Sequence, residues 1–204
     1  MTAVLVVLGG YLLGSMPFGY WVVLLVKGDD IRKVGSGNIG ATNVWRTYGR
    51  WYGIPIVLLD MAKGFVPGLV GTLLVGELVG VLAGGAAMFG HWRPMFLRFQ
   101  KGGKTVATAG GTFFGVAPIL GLTGLAIWIV AFLLTRYASI ASLAAALSLP
   151  FVGLALGEPW PVIVFATIAA VAVVLLHKEN IARLRAGTES RFALRRGNAA
   201  AKSS

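Results

Sequence analysis

Long apolar runs separated by short basic segments dominate the chain, and their lengths are those of membrane spans. The first run covers residues 3–26 and is interrupted only by small or polar residues such as Ser15 and Pro17. A basic loop follows over 27–50, with Lys27, Arg32, Lys33, Arg46 and Arg50. The second run, at about 51–75, holds Asp60 and Lys63 within it. The third, at about 78–97, follows Gly76 and Glu77 and ends with His91, Arg93 and Pro94. The loop 98–104 is again basic and glycine-rich. Residues 105–135 carry no charge, and Gly115-Val116-Ala117-Pro118 supplies a turn in their middle. Runs at about 138–156 and 161–176 complete the set. Between them lies Gly157-Glu158-Pro159-Trp160-Pro161, a tight turn whose tryptophan suits a membrane interface.

Basic residues collect on the cytoplasmic side of membrane proteins, and that rule decides how 105–135 is divided. With two helices, about 105–115 and 118–135, the chain has seven spans. The loops 27–50 and 98–104, Arg136 and the seven basic residues of 178–204 then share one side. The other side keeps Glu77 and Glu158 and no lysine or arginine. A single helix would leave the basic tail outside. The expectation is an all-α polytopic membrane protein of about seven transmembrane helices, N-terminus outside and C-terminus cytoplasmic. Residues 1–190 form a single transmembrane domain, and 191–204 a basic, disordered cytoplasmic tail. The short, glycine-rich fourth span is the least regular of the seven.

Composition agrees. Of 204 residues, 57% are hydrophobic and 12% charged, against roughly 45–50% and a quarter in soluble domains. There is room for one domain and no soluble appendage. No basic n-region precedes the first run and no small-residue cleavage site follows it, so it is not a removable signal. Cysteine is absent, which excludes disulfides, thiolate metal sites and cysteine nucleophiles. The net charge of +11 fits cationic loops beside anionic lipid better than it fits nucleic acid. The two histidines and scattered carboxylates show no metal-ligand spacing, and nothing calls for a cofactor.

Five segments carry polar chemistry that solubility does not explain. Gly35 to Arg46 is rich in glycine, amide and hydroxyl side chains and ends in a guanidinium fork suited to phosphate; Ser36, Gly37, Asn38, Gly40, Thr42, Asn43 and Arg46 are its candidate ligands. A solvated loop of helix-capping residues is the plainer reading. Asp60 and Lys63 lie one helical turn apart inside a span, as a structural ion pair or as substrate ligands. Lys101-Gly102-Gly103-Lys104-Thr105 is superficially like the end of a P-loop, but the upstream glycine is missing. Two glycines still free the backbone there, Lys104 supplies a point charge, and Thr105 can cap a helix whose N-terminus favours anions. Lys101 reads as an ordinary positive-inside residue. Ser139 and Ser142 share one helix face, for substrate or for helix packing. His177 and Asn180 are likewise three apart, at the end of the last span, where the histidine could act as a base, bind phosphate or mark the interface. His91, beside Trp92, reads as structural. Cation-rich and donor-rich segments on one membrane face point to a phosphorylated, water-soluble ligand with a lipid-soluble partner.

In this order, these segments resemble the bacterial acyl-phosphate:glycerol-3-phosphate acyltransferases. The matching pieces are Gly35-Ser36-Gly37-Asn38-Ile39-Gly40-Ala41-Thr42-Asn43 with Arg46, Asp60-Met61-Ala62-Lys63-Gly64, and Gly90-His91 with Pro94 and Phe96. Gly102-Gly103-Lys104 with Val106-Ala107-Thr108 follows, then Arg136-Tyr137 with Ser139 and Ser142, and His177 with Asn180-Ile181, Arg183-Leu184, Gly187 and Glu189. The chain departs from the family pattern at Thr105, where glycine is usual. The resemblance implies an integral enzyme of the bacterial inner membrane with its site facing the cytoplasm. It implies fatty acyl transfer from acyl phosphate to the first hydroxyl of glycerol 3-phosphate, giving lysophosphatidic acid and phosphate, the first acylation of phospholipid synthesis. The partners are those two substrates and membrane lipid, with no nucleic acid and no obligatory protein partner. Phosphate binding falls to Ser36, Gly37, Asn38, Arg46, Lys104 and the Ser139/Ser142 face, with Gly40, Thr42, Asn43, Lys63, Gly102 and Gly103 as further substrate ligands. His177, Asn180, Lys104 and Ser142 are the expected catalytic residues. A transporter for a phosphorylated solute would share the cationic clusters but would need polar groups on both sides of the membrane. A lipid-binding or assembly protein would explain the basic tail but not the paired glycine-rich loops.

Overall fold

The computed structural model of the chain describes residues 1–192. Among them every regular element is helical. In order these are α1 (Thr2–Gly14), α2 (Phe18–Lys27), α3 (Ala41–Tyr48), α4 (Arg50–Leu74), α5 (Glu77–Trp92), α6 (Val106–Val116), α7 (Pro118–Thr135), α8 (Ala138–Leu156), α9 (Trp160–Leu176) and α10 (Lys178–Arg185). Single 3₁₀ turns occur at Ile31–Lys33 and Met95–Leu97. Four stretches are long and apolar enough to cross a membrane: Thr2–Lys27, Arg50–Leu74, Pro118–Thr135 and Ala138–Leu156. Taken with α10, from which it is bent by 57°, α9 would be a fifth. α5 has 16 residues and α6 only 11.

Each expected apolar run holds a helix, with local departures. The first run is two helices, because Pro17 lacks an N–H and disfavours helical backbone at Met16. The run placed at about 78–97 stops being helical after Trp92, just ahead of Pro94. The turn expected at 115–118 falls at Ala117, and Pro118 opens α7 where a missing N–H does no harm. Two helices went unexpected: α3 inside the basic loop and α10 after His177. The expected disordered tail begins at 191, and all but Arg191 and Phe192 of it lies outside the described residues.

Small residues set the helix spacing. A Cβ on Gly64 would lie 1.9 Å from the carbonyl oxygen of Thr108, and one on Gly111 1.9 Å from that of Met61, so α4 and α6 touch backbone to backbone. One apolar core joins α5, α6, α7, α8 and α9 around Phe113, Leu120, Leu149 and Phe165. A second, around Val23, Ile31, Ile39, Val44 and Ile56, fastens α2, α3 and the loop between them to α4. Outside these cores, large apolar side chains such as Leu25, Leu73, Leu134 and Phe151 are exposed, as a lipid-facing surface requires.

Candidate active site

Three polar segments meet at one end of the bundle. The loop after α2 joins the α5–α6 loop through Asn38 Nδ2, which donates to the Gly102 carbonyl at 3.3 Å, and Arg32 Nη1, which donates to Gln100 Oε1 at 2.9 Å. The segment from His177 onward joins both. Lys101 pairs with Glu179 at 2.7 Å, and Arg46 Nη2 donates to the Ser190 carbonyl at 2.8 Å.

Asn43 organises the first loop. Its Oδ1 accepts the Ser36 N–H at 2.9 Å, while Nδ2 donates to the carbonyls of Val34 at 3.0 Å and Asn38 at 2.9 Å. Asn38 Oδ1 in turn accepts the Gly40 N–H at 2.8 Å. Gly35 and Gly37 take φ of +60° and +68°, so the loop can close tightly around the amide. Ser36, Asn38, Gly40, Thr42, Asn43 and Arg46 all line the site, but the Asn43 amide is already spent within the loop.

A cavity of about 280 Å³ opens where the segments meet. Its head is polar: Ser36, Arg46, Lys104, Ser139, Asn180 and Arg183 line it, with Glu189. Its tail is apolar and runs between α6, α7, α8 and α9, past Gly110, Leu125, Ala146, Ala170 and Leu149. From Ser139 to Leu149 the cavity follows α8 for about 15 Å at 1.5 Å per residue. Gly110 is a helical glycine whose added Cβ would meet nothing within 4 Å, so packing does not require it; it keeps the cavity open.

The head is one hydrogen-bonded network. Lys104 Nζ donates to Asn180 Oδ1, and Asn180 Nδ2 donates to Glu189 Oε1 at 2.6 Å. Ser139 Oγ donates to the same oxygen at 2.9 Å, and Arg183 Nε to Glu189 Oε2 at 2.7 Å. Burial would raise the Glu189 carboxyl, but donation from Asn180, Arg183 and Ser139 outweighs it and holds the group below the usual carboxylate range. Burial, with Arg183 adding repulsion, lowers Lys104 to about 8. Burial also lowers His177 to about 4, so its imidazole is neutral at pH 7. Its Nδ1 lies 2.8 Å from the Val173 carbonyl and must carry the proton there, which leaves the Nε2 lone pair for a ligand.

Other expected site residues are committed elsewhere. The Gly102 N–H donates to the Trp92 carbonyl at 2.8 Å and the Gly103 N–H to that of His91 at 2.9 Å. A Cβ on either would collide with His91. These glycines, expected as substrate ligands, dock the loop on α5, and neither lines the cavity. Gly37 does not line it either. Lys63 is fully buried and does not itself line the cavity; its Nζ lies 2.7 Å from Asp60 Oδ1 and 3.2 Å from His91 Nδ1, the side chains of two residues that do, so it forms the expected ion pair. Ser142 lines the cavity, but its Oγ donates to the Ala138 carbonyl at 2.7 Å and accepts from Trp128 Nε1 at 3.2 Å. Arg183 and Glu189 were not expected as site residues, although Arg183 lies one turn beyond Asn180 on the same helix. Phe192, under the Arg46 guanidinium at 4.6 Å, had no sequence signal. Among the described residues no three His, Asp or Glu side chains gather as a metal site requires.

Comparison with known proteins agrees with this geometry. The profile of the glycerol-3-phosphate acyltransferase family matches residues 4–187. The glycerol-3-phosphate acyltransferase of Desulforudis audaxviator is 46% identical over 200 residues, covering 95% of this chain and 98% of the relative. That of Aquifex aeolicus is 42% identical over 194 residues, covering 94% and 100%. Two crystal structures of PlsY, an integral membrane glycerol 3-phosphate acyltransferase, superpose on this fold. The glycerol 3-phosphate form does so at TM-score 0.91 and 42% identity, over 95% of this chain and 96% of that one. The lysophosphatidic acid form does so at 0.88 and 40%, with the same coverage. A cavity with a cationic head and an apolar tail, in a helical membrane fold matched along nearly its whole length, places this chain in the glycerol-3-phosphate acyltransferase family.

Proposed function

We propose that the protein transfers a fatty acyl group from acyl phosphate to the sn-1 hydroxyl of glycerol 3-phosphate. The products are lysophosphatidic acid and inorganic phosphate, in the first acylation step of phospholipid biosynthesis. The observation that carries this reading is the cavity itself: cations and neutral donors at its head suit phosphate, and its tail between α6 and α9 suits an acyl chain. The related crystal structures are described as glycerol 3-phosphate and lysophosphatidic acid forms, the acceptor and product of this reaction.

In the mechanism the glycerol hydroxyl oxygen attacks the acyl carbonyl carbon. The bond from that carbon to the bridging oxygen breaks, and phosphate leaves with the electron pair. Arg46, Lys104 and Arg183 stabilise the charge that develops on the phosphates. Ser36, Thr42 and Ser139 supply neutral donors that orient them. His177 Nε2 accepts a hydrogen bond from the hydroxyl and aims it. A histidine near 4 is a weak base, whereas a phosphate with its second ionisation at about 6 is stronger, so the proton ends on phosphate. Neither a covalent intermediate nor a cofactor enters these steps.

The same reading has seven spans, with α1 and α2 as one broken span and α5 and α6 as short ones. The site end faces the cytoplasm and the Glu77 and Glu158 end faces outward, in a bacterial inner membrane. No obligatory protein partner is part of it.

The test is acyl transfer by the purified protein in lipid, using labelled glycerol 3-phosphate with palmitoyl phosphate or palmitoyl-CoA. Lysophosphatidic acid from acyl phosphate alone is expected. Product from the CoA ester would keep the acyltransferase and overturn the donor assignment.

A further inference from the structure

Thr105 has a backbone and a side chain that local structure does not explain. It caps α6 at its N-terminus with φ +62°, in the left-handed region. Glycine enters that region freely, whereas a β-branched residue there is an outlier held in place by its surroundings. The residue is only 3% exposed. Threonine at an N-cap ordinarily satisfies its hydroxyl on an amide of the first turn. Thr105 makes no such bond, and its buried Oγ1 has no hydrogen-bond partner among the described residues. Glycine at this position would remove both costs at once, so an unspent hydroxyl held under strain is a mark of function.

Its location names the ligand. Thr105 follows Lys104 and lines the same cavity. It also borders a second, apolar groove of about 650 Å³ between α5 and α9, lined by side chains such as Leu82, Phe89 and Ile168. Arg46, Ser139, Arg183 and Glu189, which form the far wall of the head, do not reach that groove. Thr105 also opens α6, whose Val106, Ala109, Gly110 and Phe113 line the apolar tail, so it stands where that tail meets the cationic head, at the headgroup of a substrate whose acyl chain lies in the tail. We infer that the Thr105 hydroxyl donates a hydrogen bond to a headgroup oxygen of the acyl phosphate and is a substrate-binding residue of this chain. The inference rests on the reaction proposed above.

The experiment compares Thr105→Val, Thr105→Ser and Thr105→Gly as purified proteins in lipid. Palmitoyl phosphate is varied at saturating glycerol 3-phosphate, and then the reverse, and each variant's thermal midpoint is measured. Valine keeps the shape and the strain and loses the hydroxyl. Losing a hydrogen bond to a charged group predicts that KM for palmitoyl phosphate rises about 10-fold or more in the valine and glycine variants. KM for glycerol 3-phosphate should stay within about 2-fold, and serine should restore the donor KM. The glycine variant should melt higher than wild type, which separates substrate contact from fold stability. The inference is overturned if the valine variant has the wild-type KM for palmitoyl phosphate. It is equally overturned if the glycerol 3-phosphate KM moves instead, or if activity follows the thermal midpoint across all three. Wild-type protein that makes no product from palmitoyl phosphate would sink the donor assignment itself, a different result from an active wild type with an indifferent Thr105.

Discussion

Lys104 ties the residue scale to a pH profile. Its ammonium is lowered to about 8, chiefly by burial, so the free enzyme loses that cation as pH rises through 8. Below 8 the site holds a charge for phosphate, and above it kcat/KM for glycerol 3-phosphate should fall by up to about 10-fold per pH unit. Stability moves the other way. Between about 8 and the unfolded value of 10.5 the unfolded chain binds more protons than the folded one, so folding becomes more favourable with pH. A drop in kcat/KM near pH 8.5 with an unchanged or raised thermal midpoint would confirm the assignment; a drop in both would remove it. Lys104→Arg should lose this inflection, since guanidinium does not titrate there. At this scale the sequence displayed residue types well and commitments badly. Arg46, Lys104, His177 and Asn180 were legible because an Arg fork, a lysine beside two glycines and a His–Asn turn have few uses at a membrane surface. Asn43, Gly102 and Gly103 had the right chemistry too, but their amides close loops onto Ser36, Trp92 and His91. Only the folded backbone shows which donors are already spent.

α4 and α5 are joined beneath the site by a buried polar cluster, of which Asp60 and His91 also line the cavity. Asp60, Lys63 and His91 are all buried, with Lys63 Nζ donating to both neighbours. Removing one partner of such a pair leaves a buried charge alone and costs about 3–5 kcal/mol, whereas replacing both with apolar groups of similar size is often neutral. Lys63→Met should therefore destabilise the protein by about 3–5 kcal/mol, and adding Asp60→Leu should recover most of that loss. Unfolding in detergent measures both. A single variant as stable as wild type would show that the pair does not fasten the helices. The spans were legible at this scale because a lipid-facing helix is apolar on every side and needs no periodicity to be seen. α3 and α10 were not, because a mixed polar and apolar stretch of eight residues can be a loop as readily as a helix. What makes them helical is tertiary: Val44 packs in the core around α4, and Asn180 joins the Lys104 network. The break at Ser15 to Pro17 was visible only as an imperfection in an apolar run.

At the scale of the whole molecule, the charges divide the bundle into two ends. Arg32, Arg46, Lys101, Lys104 and Arg183 converge at one end through the contacts among their loops. At the other end Glu158 is raised above the usual carboxylate range, first by burial and then by repulsion from Glu77. In the proposed topology the cationic end faces the cytoplasm, where anionic lipid and both phosphorylated substrates of the proposed reaction can reach it. The chain has no cysteine, so single cysteines report orientation without background. Lys178→Cys, beside His177 at the site end, should react with a membrane-impermeant maleimide in inverted vesicles and not in right-side-out ones. Glu158→Cys should show the reverse. Glycerol 3-phosphate should slow labelling of Lys104→Cys, in the cavity, more than that of Lys178→Cys, on the α10 surface. Labelling of both ends from one side would exclude the seven-span topology, because an even number of crossings would then separate residues 104 and 158. The argument for a cytoplasmic active site would fail with it, since it depends on the cationic end and the cavity sharing a side that the carboxylates do not.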